Sequence, residues 1–563
     1  MSKSLAWIVW AITAVLLGCF LVWPIGTTVQ RAFFEDGRFT LDYIREVFAN
    51  QIYREGLANS FLLAVTTTLV TLVLALPLAF VADRFNFPGK RLLNALILVP
   101  MILPPFVGAI GLKMMFGQMG SFNALLTDIG ILGPGEVIDW LGRGQFWGVV
   151  VIQALNLYPI LFLNLTAALA NVDPAMEEAA ANLGCTGLRR FRRITLPLIM
   201  PGVFAGGTIV FIFAFTDLGT PLVFDYSRLA SVQIFNGIKE ISGNPFPFAL
   251  VVVMLASSLL LYLASKLAFG RGQHAMVAKA TTAGGARDTS RVTAWLCTAG
   301  FAGVTLIALL PHIGVILESF SDDWYATILP RSFTTRHWES ALGHYLTVPS
   351  IVNSLKYAGI SVVFDVVLGV AIAYVIVRTK LPGRHLLDAL AMLPLAVPGL
   401  VLAFGYLAMT QPGQIFEAFD PGKDPTLILV IAYAIRRLPY VVRSAVAGLQ
   451  QTSETLEEAA QNLGCPPLRT LRRITFPLIA ANVLAGGLLA FAFAMLEVSD
   501  SLILAQKQQH FPITKAIFEL FNLIGDGKYL AAALGVWAMI FLGLTIAVAS
   551  KVLGRKLGAL FRV

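Results

Sequence analysis

Two short segments of this sequence carry the same set of charged, small and flexible residues. Each has two neighbouring glutamates, then two alanines, a glycine four residues further on, and a cluster of arginines. Carboxylates are favourable near the positive N-terminal end of a helix, and glycine readily takes the left-handed conformation that ends one. The pattern predicts short helices that can closely approach another surface. The residues are Glu177, Glu178, Ala179, Ala180 and Gly184 in the first segment, and Glu457, Glu458, Ala459, Ala460 and Gly464 in the second.

Both predicted helices have a start signal and an apolar face. Asp173 is the expected N-cap of the first, Pro174 is its first helical residue, and Ser453 occupies the N-cap position in the second. Apolar residues then recur at the i, i+3, i+4, i+7 spacing of one helix face. The expected stripe consists of Met176, Ala179, Ala180 and Leu183, repeated as Leu456, Ala459, Ala460 and Leu463.

The arginines that follow each helix, within 189–193 and 469–473, allow a simpler interpretation. These segments could be interfacial loops whose arginines contact lipid phosphates. Lipid contact does not require two capped helices with the same stripe and the same spacing to a following proline. It therefore does not account for the segments as a whole.

A second set of ionisable residues lies within or at the ends of apolar runs. A charge in hydrocarbon is costly and usually faces a cavity or a partner. Two interpretations are open: these side chains line a translocation path, with Asp217, Glu497 and Asp500 at its outer end, or they form internal ion pairs that hold helices together. Simple exposure at the outer boundary is a further alternative for two of them, Asp217 and Asp500. The set consists of Asp217, Asp365, Arg436, Arg437, Glu497 and Asp500.

The composition is that of a membrane protein. Of 563 residues, 57% are hydrophobic and only 13% are charged, whereas soluble proteins average roughly 25% charged residues. This excludes an ordinary soluble enzyme and a disordered chain, and four scattered cysteines exclude a disulfide framework. The net charge of +9 comes from short basic clusters between apolar runs, a pattern typical of membrane topology rather than of nucleic-acid binding.

Twelve apolar runs are long enough to cross a bilayer, which takes about 20 residues of helix. They are continuous and do not alternate, so we expect an all-α polytopic protein rather than a β-barrel. Lysine and arginine are concentrated at 265–293 and after residue 550, which predicts cytoplasmic termini. The runs lie near 5–28, 59–82, 93–116, 147–170, 195–217, 248–269, 292–318, 353–378, 387–410, 426–447, 475–497 and 529–552.

The chain also repeats itself. Asn59-Ser60 and Pro88-Gly89 recur 294 residues later, and the block 177–207 matches 457–487 at 21 of 31 positions, at an offset of 280. An even number of spans separates equivalent segments, so both copies share one topology and the repeat is parallel. We expect two six-helix halves, 1–270 and 292–563, joined by a cytoplasmic linker at 271–291.

Motifs for chemistry on nucleotides or metals are missing from the sequence. There is no G-x-x-x-x-G-K-[ST] phosphate loop and no HExxH, and the six histidines are dispersed. We therefore expect neither an enzyme nor a bound cofactor, and we assign no metal site.

The spacing from Glu178-Ala179-Ala180 through Gly184 to the Ile-Thr-Leu-Pro of 194–197 resembles the EAA loop of binding-protein-dependent ABC importer permeases. The second copy departs from that pattern only at Phe476, where the pattern has leucine. In that family the loop forms a coupling helix seated in a cleft of the cytoplasmic ATPase. The resemblance implies two ATPase copies that use the ATP, a periplasmic or lipid-anchored substrate-binding protein, and a place among the lipids of the bacterial inner membrane, with no role for nucleic acid.

The fusion of two halves, the chain length and the stretch 433–440 look most like the ferric-iron importer permeases. This resemblance implies ferric iron as the cargo, with phosphonate, thiamine, polyamine and sulfate as alternatives. The carboxylates of Asp217, Glu497 and Asp500 would suit a hard cation. The other functional class is a secondary transporter driven by an ion gradient. Such a transporter has no reason to carry duplicated capped helices on its cytoplasmic face.

Overall fold

The computed structural model describes residues 3–35, 37–142, 145–240, 244–269 and 289–553. These residues are almost entirely helical, apart from two short antiparallel hairpins. Strand β1 (Phe34–Glu35) pairs with β2 (Arg38–Phe39), and β3 (Ser321–Asp323) pairs with β4 (Ser332–Phe333). The predicted linker at 271–291 lies outside the described residues except at its C-terminal end.

The described residues of the first sequence copy form helices of very different lengths. Four short segments between these helices are 3-10 or π turns: Gly18–Val22, Val99–Ile102, Phe191–Thr195 and Gly237–Glu240. The α-helices are α1 (Lys3–Leu17), α2 (Trp23–Phe33), α3 (Asp42–Ala49), α4 (Gln51–Arg84), α5 (Lys90–Leu96), α6 (Pro105–Phe116), α7 (Ser121–Asp128), α8 (Phe146–Ala170), α9 (Pro174–Asn182), α10 (Gly187–Arg190), α11 (Leu196–Thr216), α12 (Gly219–Val223), α13 (Ala230–Asn236) and α14 (Phe246–Phe269).

The second copy repeats this order of elements. Its 3-10 and π turns are Leu393–Leu395, Glu417–Phe419, Leu471–Thr475 and Gln508–His510. Its α-helices are α15 (Arg291–Phe320), α16 (Arg336–Gly343), α17 (Thr347–Arg378), α18 (Arg384–Met392), α19 (Gly399–Met409), α20 (Thr426–Gln451), α21 (Thr455–Asn462), α22 (Pro467–Thr470), α23 (Phe476–Met495), α24 (Ser499–Leu504), α25 (Ile513–Phe521) and α26 (Gly527–Leu553).

Within the described ranges, nine helices are long and apolar enough to cross a membrane, or up to eleven if each of two bent pairs counts as one span. The expected count of twelve is therefore not reached by length and composition. The difference lies at α20, a continuous helix of 26 residues that carries Arg436, Arg437 and Arg443 along its length. These arginines make it more polar than the nine helices, although the sequence predicts a span there, near 426–447.

Each bent pair turns at an equivalent proline. The helices before and after Pro104 meet at 95°, and those before and after Pro398 meet at 102°. The residue before a proline is pushed into an extended conformation, and Leu103 adopts one, with φ of −95° and ψ of 129°. The duplicated prolines therefore produce the same break in both copies.

The chain packs as two compact units. One contains the described residues of 1–54, 233–255 and 338–560, and its centre is formed by α17, α20 and α23. Helices α1 and α2 belong to this unit: the Trp10 Nε1–H donates to the Gly383 carbonyl at 3.1 Å, and the Tyr406 hydroxyl donates to the Phe20 carbonyl at 2.7 Å. The first spanning helix of one sequence copy thus packs with helices of the other.

The second unit contains the described residues of 55–232 and 256–337, with α8 and α11 packed together. Helix α15 from the second sequence copy lies against α6 in this unit. A Cβ atom on Gly111 would lie 2.5 Å from the Pro311 carbonyl oxygen, and one on Gly314 would lie 2.7 Å from the Gly111 oxygen. Glycines at this crossing allow the two backbones to touch. The boundaries 1–270 and 292–563 stay a prediction about sequence copies.

Candidate functional site

The helix predicted in the first duplicated segment is present as α9, with a proline as its first residue. The Asp173 carboxylate caps it by accepting a hydrogen bond from the Ala175 backbone N–H at 2.9 Å. Gly184 follows the helix with φ of +79°, and the Cys185 N–H donates to the Ala180 carbonyl at 2.9 Å. Such a left-handed glycine allows the last carbonyls of the helix to find donors. Local sequence therefore fixes both ends of α9.

The helix of the second segment, α21, ends in the same way but begins differently. Gly464 has φ of +84°, as expected. Glu454 precedes the first residue of α21, but it has helical backbone angles and makes no capping hydrogen bond, so the cap is the predicted Ser453. The Ser453 hydroxyl accepts from the Thr455 N–H at 3.3 Å. The first copy has Pro174 where the second has Glu454, so only the first copy has the fixed backbone angle that sets the start of the helix.

The predicted apolar stripe is divided between two surfaces. Ala180 and Ala460 are buried, while Leu183 and Leu463 are 88% and 89% exposed. Periodicity identifies the residues that share a helix face, but α9 and α21 lie over the ends of longer helices that cover part of that face. We call the remaining apolar residues the exposed face: Met176, Ala179 and Leu183 on α9, and Leu456, Ala459 and Leu463 on α21.

The first glutamate of each pair turns inward and binds an arginine that the sequence did not single out. The Glu177 carboxylate accepts from Arg84 Nη2 at 2.8 Å, and the Glu457 carboxylate accepts from Arg378 Nε at 3.1 Å. The second glutamate of each pair is exposed. The available signal was that both arginines end long apolar helices and lie 294 residues apart, the offset of the repeat.

A wide helical turn joins each loop to the next spanning helix. Phe191–Thr195 and Leu471–Thr475 are π-helical, so the Leu196 N–H donates to the Phe191 carbonyl five residues earlier. Proline follows at the second position of the next helix in both copies and has no N–H to donate, which favours a local change of hydrogen bonding. Turns of this kind are frequent at functional sites. The arginine clusters lie at these turns, mostly exposed.

Four of the six predicted path residues meet in one buried cluster. Arg436 Nη1 lies 2.6 Å from Glu497 Oε1 and 3.3 Å from Asp500 Oδ2, and Arg437 also pairs with Glu497. The Arg437 Nη2 donates to the Phe493 carbonyl at 3.1 Å as well. Burial and the neighbouring Glu497 carboxylate raise the pKa of Asp500 to about 7. These contacts are those expected of internal ion pairs, with two positive and two negative groups.

The remaining two residues differ from this cluster. Asp217 follows the end of α11, and its Oδ2 accepts from the Gln153 amide at 3.0 Å, so it is held by a neutral donor. Asp365 lies in the middle of α17, is fully buried, and neither of its carboxylate oxygens has a hydrogen-bond partner. An unpaired buried carboxylate is costly. The sequence alone could not separate these three environments.

Among the described residues, no group of three or more histidine, cysteine, aspartate or glutamate side chains is close enough to hold a metal ion. Glu497 and Asp500 are instead paired with Arg436 and Arg437. A cation that passed these four side chains would meet no excess of negative charge.

Comparison with known proteins also finds two copies of one sequence unit, each containing one of the duplicated loops. A family model described as binding-protein-dependent transport system inner membrane component matches residues 72–273 and again 365–557. The ferric transport system permease protein of Actinobacillus pleuropneumoniae is 27% identical over 529 residues, which is 91% of this chain and 73% of that protein.

Two further relatives show how similarity is distributed. A Fe(3+)-transport system permease protein of Haemophilus influenzae is 24% identical over 85% of this chain and 86% of its own length. The spermidine/putrescine transport system permease protein of the same organism is 30% identical over 46% of this chain and 91% of its own length. Relatives that cover both copies thus include ferric transporters, and relatives of half the length carry other substrates. The two matches to the family model cover most of the sequence, and the chain belongs to the family of binding-protein-dependent transport system inner membrane components.

Proposed function

We propose that this chain supplies both permease halves of an ATP-driven importer. In this proposal α9 and α21 each dock on one copy of a cytoplasmic ATPase, and a periplasmic or lipid-anchored protein delivers the cargo from the other side. The observation that carries the proposal is the pair of exposed faces on two capped helices at equivalent positions. Leu183 and Leu463 leave large apolar surface uncovered on short polar loops, which is expected of a protein interface.

The proposed cargo is ferric iron. Support comes from the relatives that match across both copies and from the fusion of two halves in one chain. A polyamine is the principal alternative, because a relative of half the length carries spermidine and putrescine. An importer of phosphonate, thiamine or sulfate and an ion-gradient-driven secondary transporter are the remaining alternatives.

We further propose twelve spans, with both termini in the cytoplasm of a bacterial inner membrane. Counting α20 as a span adds one to the eleven obtained when each bent pair is one span. A helix of 26 residues is long enough to cross the bilayer. Its arginines are compensated by Glu497 and Asp500, which lowers the cost of placing them in a low-dielectric environment.

The outer acids are proposed to contribute to the translocation path, with Asp217 as the principal contact. Its carboxylate accepts a hydrogen bond from a neutral amide, where those of Glu497 and Asp500 are paired with arginine. The carboxylates of Glu497 and Asp500 are shared with two arginines, so their contribution to a cation site is weaker. The test is to measure Asp217→Asn for uptake and, separately, for docking of the loaded binding protein. Lost uptake with intact docking supports a path residue, and lost docking places Asp217 at the rim.

Transport by the reconstituted system tests the function as a whole. The permease is inserted in liposomes with an importer ATPase and a substrate-binding protein from the same organism, and the binding protein is loaded with radioactive iron. We expect uptake that requires ATP and continues when the proton gradient is collapsed. Uptake that stops with the proton gradient and ignores ATP would establish a secondary transporter. Uptake of labelled spermidine in place of iron would establish the polyamine alternative.

A further inference from the structure

The same pair of side chains connects the loop helix to a spanning helix in both sequence copies. Arg84 is the last residue of α4, and its Nη2 lies 2.8 Å from Glu177 Oε1 on α9. Arg378 is the last residue of α17, and its Nε lies 3.1 Å from Glu457 Oε1 on α21. We call these two contacts the anchoring pairs. Each joins residues far apart in the sequence, so it fixes the position of a short helix rather than its internal structure.

The anchoring glutamates are turned away from any docking partner. Glu177 is 5% exposed and Glu457 is 7% exposed. Their immediate neighbours Glu178 and Glu458 are exposed, together with the exposed face. One side of α9 and of α21 therefore contacts a spanning helix, and the opposite side is exposed and can bind a partner. A charge-assisted hydrogen bond between buried groups is stronger and more directional than a surface ion pair.

Each anchoring glutamate has an additional donor, but the two copies use different ones. In the first copy the Thr195 hydroxyl donates to Glu177 at 2.7 Å. In the second copy the Tyr374 hydroxyl donates to Glu457 at 2.9 Å, and the hydroxyl of Thr475, the equivalent of Thr195, has no partner. Equivalent glutamates are thus held by hydroxyl groups from different positions, Thr195 in the first copy and Tyr374 in the second. This compensation is expected if the position of the glutamate matters and the identity of its extra donor does not.

We propose that Glu177 and Glu457 are positioning residues that lock the coupling helices to the ends of α4 and α17, and that they do not contact the ATPase themselves. This inference rests on the proposed function, because it assigns a role within the same loops. Movement of an ATPase would then reach the spanning helices through two rigid links per chain. If an anchoring pair is lost, the exposed face can still bind the ATPase. The movement of the loop helix is then no longer transmitted to the spanning helices.

Amide hydrogen exchange, measured on the purified permease in the absence of any ATPase, tests the anchoring pairs. Glu177→Gln should lower the protection of amides in 174–185 by about tenfold, because a charge-assisted bond is worth somewhat more than the ~1.4 kcal/mol that gives that factor. Amides in 455–465 should be unaffected. Glu178→Gln, which removes the same charge from the exposed neighbour, should leave protection in both segments unchanged. Unaltered protection of 174–185 in Glu177→Gln would overturn the proposal.

The copies provide a second pair of matched variants. Thr195→Val should reduce protection in 174–185, whereas Thr475→Val should not reduce protection in 455–465, because its hydroxyl makes no hydrogen bond. Tyr374→Phe should reduce protection in 455–465 instead. Equal effects of the two threonine variants would contradict the geometry on which the inference depends.

The reconstituted importer then tests what the anchors do. We expect the double variant Glu177→Gln, Glu457→Gln to retain ATPase binding and ATP hydrolysis while uptake falls about tenfold, so that more ATP is used per cargo ion. Loss of ATPase binding in this variant would show that the glutamates are docking contacts and overturn the proposal. If the unmodified chain neither binds an ATPase nor imports cargo, the proposed function fails, and the exchange experiment alone decides whether the anchors exist.

Discussion

Replacement of Glu497 by glutamine should destabilise the protein far more than the same chemical change at the equivalent position of the other copy. The Glu497 carboxylate is 4% exposed and binds two arginines whose side chains are 15% and 12% exposed. Removing one partner of a buried pair leaves uncompensated charge and costs about 3–5 kcal/mol. Asp500 remains 3.3 Å from Arg436 in the variant, so we expect the lower end, about 3 kcal/mol.

Asp217→Asn is the matched control for this prediction. Asp217 lies 280 residues before Glu497, at the offset of the repeat, but it accepts a hydrogen bond from the neutral Gln153 amide. An asparagine oxygen can keep accepting that bond, so the expected loss is at most about 1 kcal/mol. The free energy of unfolding of both variants is measured by titrating the purified permease with a denaturing detergent. A loss for Glu497→Gln no larger than for Asp217→Asn would refute the assignment of Glu497 to a structural ion cluster.

Three further predictions concern the loop glycines, the loop cysteines and the unpaired acid. Gly184→Val with Gly464→Val should abolish uptake while membrane insertion persists, because positive φ costs a β-branched residue roughly 1–2 kcal/mol although no atom lies within 4 Å of the added Cβ; wild-type uptake would contradict coupling through these loops. Cys185 and Cys465 should react with a membrane-impermeant thiol reagent only from the cytoplasmic side, and labelling from outside intact cells would overturn the orientation. Asp365→Leu should raise the free energy of unfolding by about 1 kcal/mol, since it replaces a buried polar group that has no hydrogen-bond partner by an apolar one; a clear loss of stability in the detergent titration would show that the carboxyl group makes compensating contacts.

Features set by neighbouring residues could be predicted from the sequence, and features set by distant residues could not. The helix α9 was predictable because its N-cap and terminal glycine lie within a dozen residues of each other. The bond between Arg84 and Glu177 joins residues 93 positions apart, and no local rule pairs them. Only the equal offsets of the repeat could have drawn attention to it. The proline breaks at 104 and 398 were visible as motifs, although their effect, two bends near 100°, required the backbone.

Apolar content and periodicity each described only part of the structure. The apolar run at 426–447 predicted a span at α20 despite its arginines, but it could not show that Arg436 and Arg437 are paired with acids beyond the end of α23. The stripe on α9 was correctly identified as one helix face, but Ala180 is covered by the protein and Leu183 is not. A sequence states which residues lie together on a helix. The surface that each part of the face meets depends on the tertiary packing.

The two copies have diverged unequally, and the pattern bears on why the halves are fused. The loop segments remain identical at 21 of 31 positions, as expected if each must fit the same partner. One buried polar position has not been kept: Arg436 occupies the place of Asn156, which donates to the Pro100 and Leu103 carbonyls at 2.8 and 3.2 Å without any charge. In a symmetric dimer of one half-length chain, the same residue would occupy the positions of Asn156 and Arg436. An arginine would then be present in both subunits, and each subunit would have to supply acids to pair with it. Fusion removes that constraint, so one copy can hold an ion cluster where the other has a neutral amide, while both present the same exposed face.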